Sequence, residues 1–277
     1  MKNYLQLGGV VVLFGFCFFV SSCEEEDSPV PLQPRIEAWV GDEFSLAEQC
    51  FLDLKWTVDQ AKSENMSVYK NGAPPKSDCA TITTDSSSNK FTIDFGKNNC
   101  LCKDLRTRRG KLEVSFIGEY GALNSAVTIR PQRYFVNEHE VRGMIISSAI
   151  GLDAKGAQCW QLRIDGAILS PNSKDSTVWS SDQILHWING DQTPEDWSDD
   201  EWDITGRGNL ITKDGYGWKA NIDKPLHRLM DCRFIDKGAA ELVRPGLVPH
   251  VVTYGNGSCD DKAEVRIKND FVSIKLR

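Results

Sequence analysis

Three hydrophobic patterns follow one another along the chain. From Gly8 to Val20 apolar residues run almost without a break. From 43 to 62 they recur at spacings of three and four, as Phe44, Ala47, Phe51, Leu54, Val58 and Ala61. That period lines them on one face and predicts an amphipathic helix. Asp42 is placed to cap its start, and the polar residues around Asn65 to end it. Beyond residue 79 the period falls to two. Ala80–Thr84 and Phe91–Phe95 flank a polar loop and read as a hairpin. Lys111–Phe116, Trp160–Ile164 and Trp218–Ile222 alternate in the same way. Ala263–Ile267 and Phe271–Leu276 flank Lys268-Asn269-Asp270, a second hairpin with Asn-Asp suited to positive φ at its tip. No βαβ rhythm is present. The expected fold is mostly β: an antiparallel meander, as an extended twisted sheet or a two-sheet sandwich, preceded by one N-terminal amphipathic helix.

The first apolar run is too short to span a bilayer as a helix and follows Lys2 at the start of the chain, as the core of a signal peptide does. Val20-Ser21-Ser22-Cys23 resembles a bacterial lipobox, which implies cleavage after residue 22 and lipidation of Cys23. Each buried methylene of such a lipid contributes about 0.8 kcal/mol, so several acyl chains anchor almost irreversibly. Residues 23–40 then form a tether. Glu24 to Asp27 is a like-charge run, and Pro29, Pro31 and Pro34 follow it. An acidic run behind the lipidated cysteine resembles the surface-export signal of Bacteroidetes lipoproteins. It implies an outer-membrane address with the protein facing outward; a solvated spacer on a periplasm-facing lipoprotein is the alternative. Residues 41–120 hold the helix and first hairpins, and 121–277 an antiparallel region continuous with them.

Composition narrows the partners. The formal charge is −7 with no basic block, a poor match to nucleic acid. The membrane is expected to be met only through the lipid. No cofactor or metal is expected, because the four histidines lack metal spacing such as H-E-x-x-H. No nucleophile-elbow or phosphate-loop motif occurs, so a catalytic role is not expected and no catalytic residue is assigned.

Of the nine cysteines, Cys17 leaves with the signal and Cys23 carries lipid. Seven remain in an oxidising compartment, an odd number, so at least one thiol lacks an internal partner. Cys50, Cys79, Cys100 and Cys102 are four sulfurs, enough for a tetrahedral zinc site. One or two disulfides among them are the favoured reading, and a Cys100–Cys102 bond would be strained. Cys232 and Cys259 form the other candidate pair, with closure contributing about 3 kcal/mol. Cys159, beside Trp160, is the candidate free and buried thiol.

Five of the eight tryptophans (Trp179, Trp187, Trp197, Trp202 and Trp218) lie between 179 and 218, together with Asp191, Glu195, Asp196, Asp199, Asp200, Glu201 and Asp203. Indole faces stack on sugar rings and carboxylates hydrogen-bond hydroxyls. Trp179, Trp187 and Trp197 are therefore candidate glycan contacts. Calcium held by the carboxylates is a second reading, and a Trp-rich β core with a solvated acidic loop is the plainest.

Cys79-Ala80-Thr81-Ile82-Thr83, Ile93-Asp94-Phe95-Gly96, Cys100-Leu101-Cys102-Lys103-Asp104, Arg108-Arg109-Gly110-Lys111, Tyr134-Phe135-Val136-Asn137, Val141-Arg142-Gly143, Ile204-Thr205-Gly206 and Tyr254-Gly255-Asn256-Gly257-Ser258-Cys259 stand in order along the chain. In that order and spacing they resemble a family of uncharacterised Bacteroidetes cell-surface or outer-membrane lipoproteins. The resemblance covers most of 45–277. It implies the same address and a β-rich fold, and supplies no catalytic residue. Two positions depart from it: Leu105 stands where glycine is usual, and Lys268-Asn269-Asp270 where Asn-Gly is usual. The expectation is a lipid-anchored, non-catalytic envelope or surface protein with a glycan or an envelope protein as partner.

Overall fold

The helix α1 spans Trp39–Tyr69. A computed structural model describes residues 37–69, 79–85, 88–171, 174–193 and 196–277. The signal segment, Cys23 and most of the tether lie outside these. α1 begins before Asp42, which sits in its first turn instead of capping it, and it continues past Asn65. Its strong helix formers explain the length: Leu46, Ala47, Glu48, Gln49, Leu52, Leu54 and Lys55 fill the middle turns.

The rest is β structure: β1 (Thr81–Asp85), β2 (Lys90–Asp94), β3 (Cys100–Leu101), β4 (Thr107–Ile117), β5 (Ala126–Val136), β6 (His139–Leu152) and β7 (Gln158–Leu169). It continues as β8 (Ser176–Asn189), β9 (Glu201–Ile211), β10 (Gly217–Leu229), β11 (Lys237–Val243), β12 (His250–Asn256), β13 (Lys262–Ile267) and β14 (Asp270–Lys275). They form one 14-stranded sheet in sequence order, with β3 paired to β4 off the main path. Every pair is antiparallel, from Thr81 opposite Asp94 to Ile267 opposite Asp270. The meander is therefore a single sheet and not a sandwich. β4 pairs with β5 across residue 120, so the two β regions are continuous.

The sheet curls around α1. The helix meets β5 to β8 and also β12 and β14, strands far apart in sheet order. It is accordingly buried on nearly every face and not on one stripe. Glu43, Ser45, Glu48, Gln49, Asp53 and Lys55 are buried along with the apolar residues. Burying such groups is costly unless each is hydrogen-bonded. Gln49 and Lys55 find partners within the helix, in the Ser45 carbonyl and Asp59, and the others find theirs on the sheet. Glu43 Oε2 accepts from Thr177 Oγ1 at 2.6 Å and from the Lys213 amide at 3.0 Å. Ser45 Oγ lies 2.8 Å from the Tyr254 hydroxyl. Gln183 Nε2 donates to both Glu48 oxygens at 2.7 and 2.9 Å. Asp53 meets Arg106 and Arg108. Two glycines make room for the rings. A Cβ on Gly166 would lie 2.6 Å from the Phe51 ring, and one on Gly208 would lie 2.3 Å from that of Trp179.

Two disulfides are present, Cys79–Cys100 and Cys232–Cys259. Cys50 and Cys102 are free, which corrects their candidacy as bridge partners and removes the four-sulfur zinc reading. Cys159 is free and 3% exposed. In the last hairpin the positive φ falls on Lys268, at 56°, and not on the Asn-Asp pair.

Leu105 also has a left-handed backbone, with φ of 62°, while its side chain is 65% exposed. An L side chain in that region costs about 1–2 kcal/mol, and this one recovers little by burial. Leu105→Gly is expected to raise unfolding free energy by about 0.5–1 kcal/mol after glycine's own entropy loss. Urea denaturation followed by Trp fluorescence measures it, and a lower midpoint would show that Leu105 packs on something in solution.

Candidate functional site

The chemistry gathers at the end of the curled sheet where α1 passes Trp56. Trp56 lies against Trp202 with ring centres 5.0 Å apart. Trp187 stacks on Trp202 at 5.5 Å and 7° between planes, and Trp160 closes the group edge-on to Trp202 at 5.2 Å. Lys55 is ion-paired with Asp59, and its ammonium lies 5.3 to 6.0 Å from the centres of the Trp56, Trp160 and Trp202 rings. The hydroxyl of Tyr120 donates to Asp59. Strand alternation brings this about: Trp160, Leu162 and Ile164 of β7 face α1, as do Trp179, Gln183 and Leu185 of β8.

Residues 190–193 follow β8 and residues 196–200 precede β9 at this end. Asp196 caps a short 3-10 turn, Trp197–Asp199, accepting from the Ser198 amide at 3.0 Å and hydroxyl at 2.6 Å. Thr193 Oγ1 donates to Asp199 at 2.7 Å. Asp200 accepts from Trp187 Nε1 at 3.0 Å. Burial, with Asp199, Asp59 and Asp196 nearby, pushes the Asp200 carboxyl up to about 6.

These positions sort the candidate sugar contacts. Trp179 is 0% exposed and edge-packed on Phe44, so it is a core residue and no ligand contact. Trp187 is partly buried, with one face covered by Trp202. Trp197 is 37% exposed and stands between Asp196 and Asp199. Trp202 and Trp218 are buried. Glu195 lies outside the described residues. The loop carboxylates are used largely to cap and brace their own loop, and among the described residues they form no cluster with metal-ligand spacing; calcium finds no support there.

No family model, curated protein or solved structure matches the chain.

A second cluster lies at the same end, on the outer face of the sheet. Cys159 of β7 is opposite His186 of β8, and Asp153 begins the turn between β6 and β7. Cys159 Sγ lies 3.3 Å from His186 Nδ1, and Asp153 Oδ2 lies 3.0 Å from the same nitrogen. Burial raises the pKa of the thiol, and Asp153 adds to this. Amide hydrogen bonds from Ala157 and Lys155, with His186 alongside, hold the Asp153 carboxyl below the usual range. Cysteine, histidine and aspartate are the residue types of a nucleophile triad. A triad, however, uses both ring nitrogens, one toward the nucleophile and one toward the acid. Here both partners address Nδ1, so the proton relay has no path. Farther along the outer face, His227 is held by Asp236 at 2.7 Å and Glu201 at 3.2 Å, and these carboxylates raise its pKa against the opposing effect of burial.

Of this second cluster only Cys159 was singled out from the sequence. One signal was available. Cys159 lies ten residues before Leu169, the end of β7, and His186 ten residues after Ser176, the start of β8, so a β7–β8 hairpin pairs them. Asp153 carries only the mark of a turn, Asp-Ala-Lys-Gly.

Proposed function

We propose that the chain is a lipid-anchored, non-catalytic envelope protein of the bacterial outer surface, which engages its partner through the end of the sheet that carries the Trp cluster. The signal-like run, Cys23 and the acidic tether support the anchor, as does the resemblance to Bacteroidetes surface lipoproteins. One observation carries the choice of binding end: the direction of α1. The first described residue is Glu37, and the helix follows at once. At 1.5 Å rise per residue, Trp56 stands about 26 Å farther along than Trp39. The Trp cluster and residues 190–193 and 196–200 therefore lie far along the helix from its N-terminus. A groove of 440 Å³ between Ala38, Trp39 and Asp42 and the strand β14 lies at the N-terminal end of the helix instead.

A glycan is the second reading for the partner, favoured by Trp197, which is exposed beside two carboxylates. Wild type is expected in the membrane pellet, exposed to protease added to intact cells, with Cys23→Ser released to the soluble fraction. A pelleted Cys23→Ser protein would remove the anchor reading. On a glycan array, Trp197→Ala is expected to lose retention at least tenfold with its melting temperature unchanged. A wild type that is not retained by any glycan would leave a protein as the partner.

A further inference from the structure

We propose that Asp153, Cys159 and His186 form a three-ligand site for a divalent cation of the zinc class, with a fourth coordination position open at the surface. The three candidate ligand atoms, Oδ2, Sγ and Nδ1, all lie within 4.8 Å of one another. Zinc bonds of roughly 2.0–2.3 Å in tetrahedral geometry set neighbouring ligand atoms about 3.3–3.6 Å apart. The Sγ–Nδ1 distance of 3.3 Å and the Oδ2–Nδ1 distance of 3.0 Å are within a few tenths of an ångström of that range. A thiolate, an imidazole and a carboxylate form a mixed donor set suited to zinc; magnesium and calcium prefer oxygen ligands throughout.

The ligands are held before any ion arrives. Asp153 Oδ1 accepts the amides of Lys155 at 2.8 Å and Ala157 at 2.9 Å, which leaves Oδ2 for the site. Cys159 is fixed in the sheet between Gly151 of β6 and His186 of β8. The convergence on one nitrogen is the second observation. Nδ1 has one hydrogen-bonding position, yet a sulfur and a carboxylate both address it. Without metal the hydrogens can be shared out: Nδ1–H donates to Asp153, and the thiol donates to the Ala157 carbonyl at 3.4 Å. A cation takes the place of both hydrogens. The thiol proton leaves to solvent as the metal–sulfur bond forms, and the imidazole proton moves to Nε2 through solvent. One proton is thus released per ion bound.

The site is graded from inside to outside. Cys159 is 3% exposed, whereas the side chains of His186 and Asp153 are 23% and 22% exposed. The fourth position therefore faces solvent. Ile184 and Ile188, both exposed, flank His186 on the same face of β8. An apolar rim around an open coordination position suits a ligand that brings one donor atom and an apolar body.

Cobalt(II) tests the proposal, because a thiolate bound to it gives an intense near-ultraviolet charge-transfer band. The full chain, kept free of other metals and of reductant, is titrated with cobalt and then with zinc. The expected result is one band that saturates at one equivalent, disappears on adding zinc, and is accompanied by release of one proton. Cys159→Ser should abolish it. His186→Gln and Asp153→Asn should each weaken apparent affinity at least tenfold, while melting as wild type without metal. Replacing Cys17, Cys23, Cys50 or Cys102 should leave the band intact. A wild type without the band, or a band that survives in Cys159→Ser, overturns the site. If Cys159→Ser does not fold, the wild-type titration and His186→Gln, whose ring is partly exposed, still decide.

Discussion

Asp53→Asn is expected to destabilise the protein by about 3–5 kcal/mol, the cost of breaking a buried ion pair from one side. Asp53 Oδ1 lies 2.6 Å from Arg108 Nη2 and 3.2 Å from Arg106 Nη1, and Arg108 Nε reaches Oδ2 at 3.3 Å. The two guanidinium side chains are only 4% and 6% exposed. Asp104 is the second carboxylate, 2.6 Å from Arg108 and 3.2 Å from Arg106. Arg108 holds the Asp104 carboxyl down to about 2 in spite of burial. Arg228, also buried, adds a further positive charge close by. Asparagine keeps the shape of Asp53 but not the charge, which leaves Asp104 facing the buried arginines. The cluster joins the middle of α1 to the start of β4, so its loss loosens the helix from the sheet. Urea unfolding read by Trp fluorescence measures the change. A loss below about 1 kcal/mol would mean that water reaches the arginines.

The same exchange about one and a half helical turns earlier, at Glu48, is expected to have the opposite sign. Glu48 is fully buried, and desolvation pushes its carboxyl up to about 7, although Gln183 donates to it. Its charged form gains hydrogen bonds from a neutral amide and no cation. Gln183 Oε1, buried beside it, has no hydrogen-bond partner among the described residues. A protonated Glu48, or a glutamine in its place, has no charge to desolvate. The native state holds the Glu48 proton between pH 4.5 and about 7, where an unfolded glutamate has lost it. Stability contributed by this group is therefore complete below pH 4.5 and is lost as pH rises to about 7. Over 2 to 3 pH units that amounts to about 3 kcal/mol. Asp200, raised to about 6, acts in the same direction over a lower window. Glu48→Gln should thus change little at pH 5, and at pH 8 raise stability by about 3 kcal/mol. Urea midpoints of both proteins at pH 5, 6, 7 and 8 provide the check. Parallel curves would show that Glu48 does not titrate in this range.

The contrast between these neighbours marks how far the sequence could be read. The apolar stripe from Phe44 to Ala61 was visible, and so was a helix, but nothing in the spacing marks the polar residues between them as buried. Glu48 and Asp53 are acids at unremarkable spacing. Their different fates depend on Gln183 of β8 and on Arg106 and Arg108, more than fifty residues away. The strands were legible because each repeats its alternation over several residues, and their hairpins pair neighbours in sequence. Leu105 was legible as a departure from a glycine position, and its positive φ supplies the reason.

The sequence by itself therefore determined the helix, the antiparallel order of the strands, the Cys232–Cys259 candidate pair and the odd thiol count. All of these rest on local periodicity or on counting. Only the tertiary structure decided that the sheet curls around the helix, which turned Trp179 from a candidate sugar contact into core and left Trp197 outside. It also decided which sulfurs bond, and it brought Asp153 and His186 to Cys159. The physical reason is that burial and convergence depend on which strands curve toward one another. A long antiparallel sheet can do that in more than one way while keeping every local hydrogen bond.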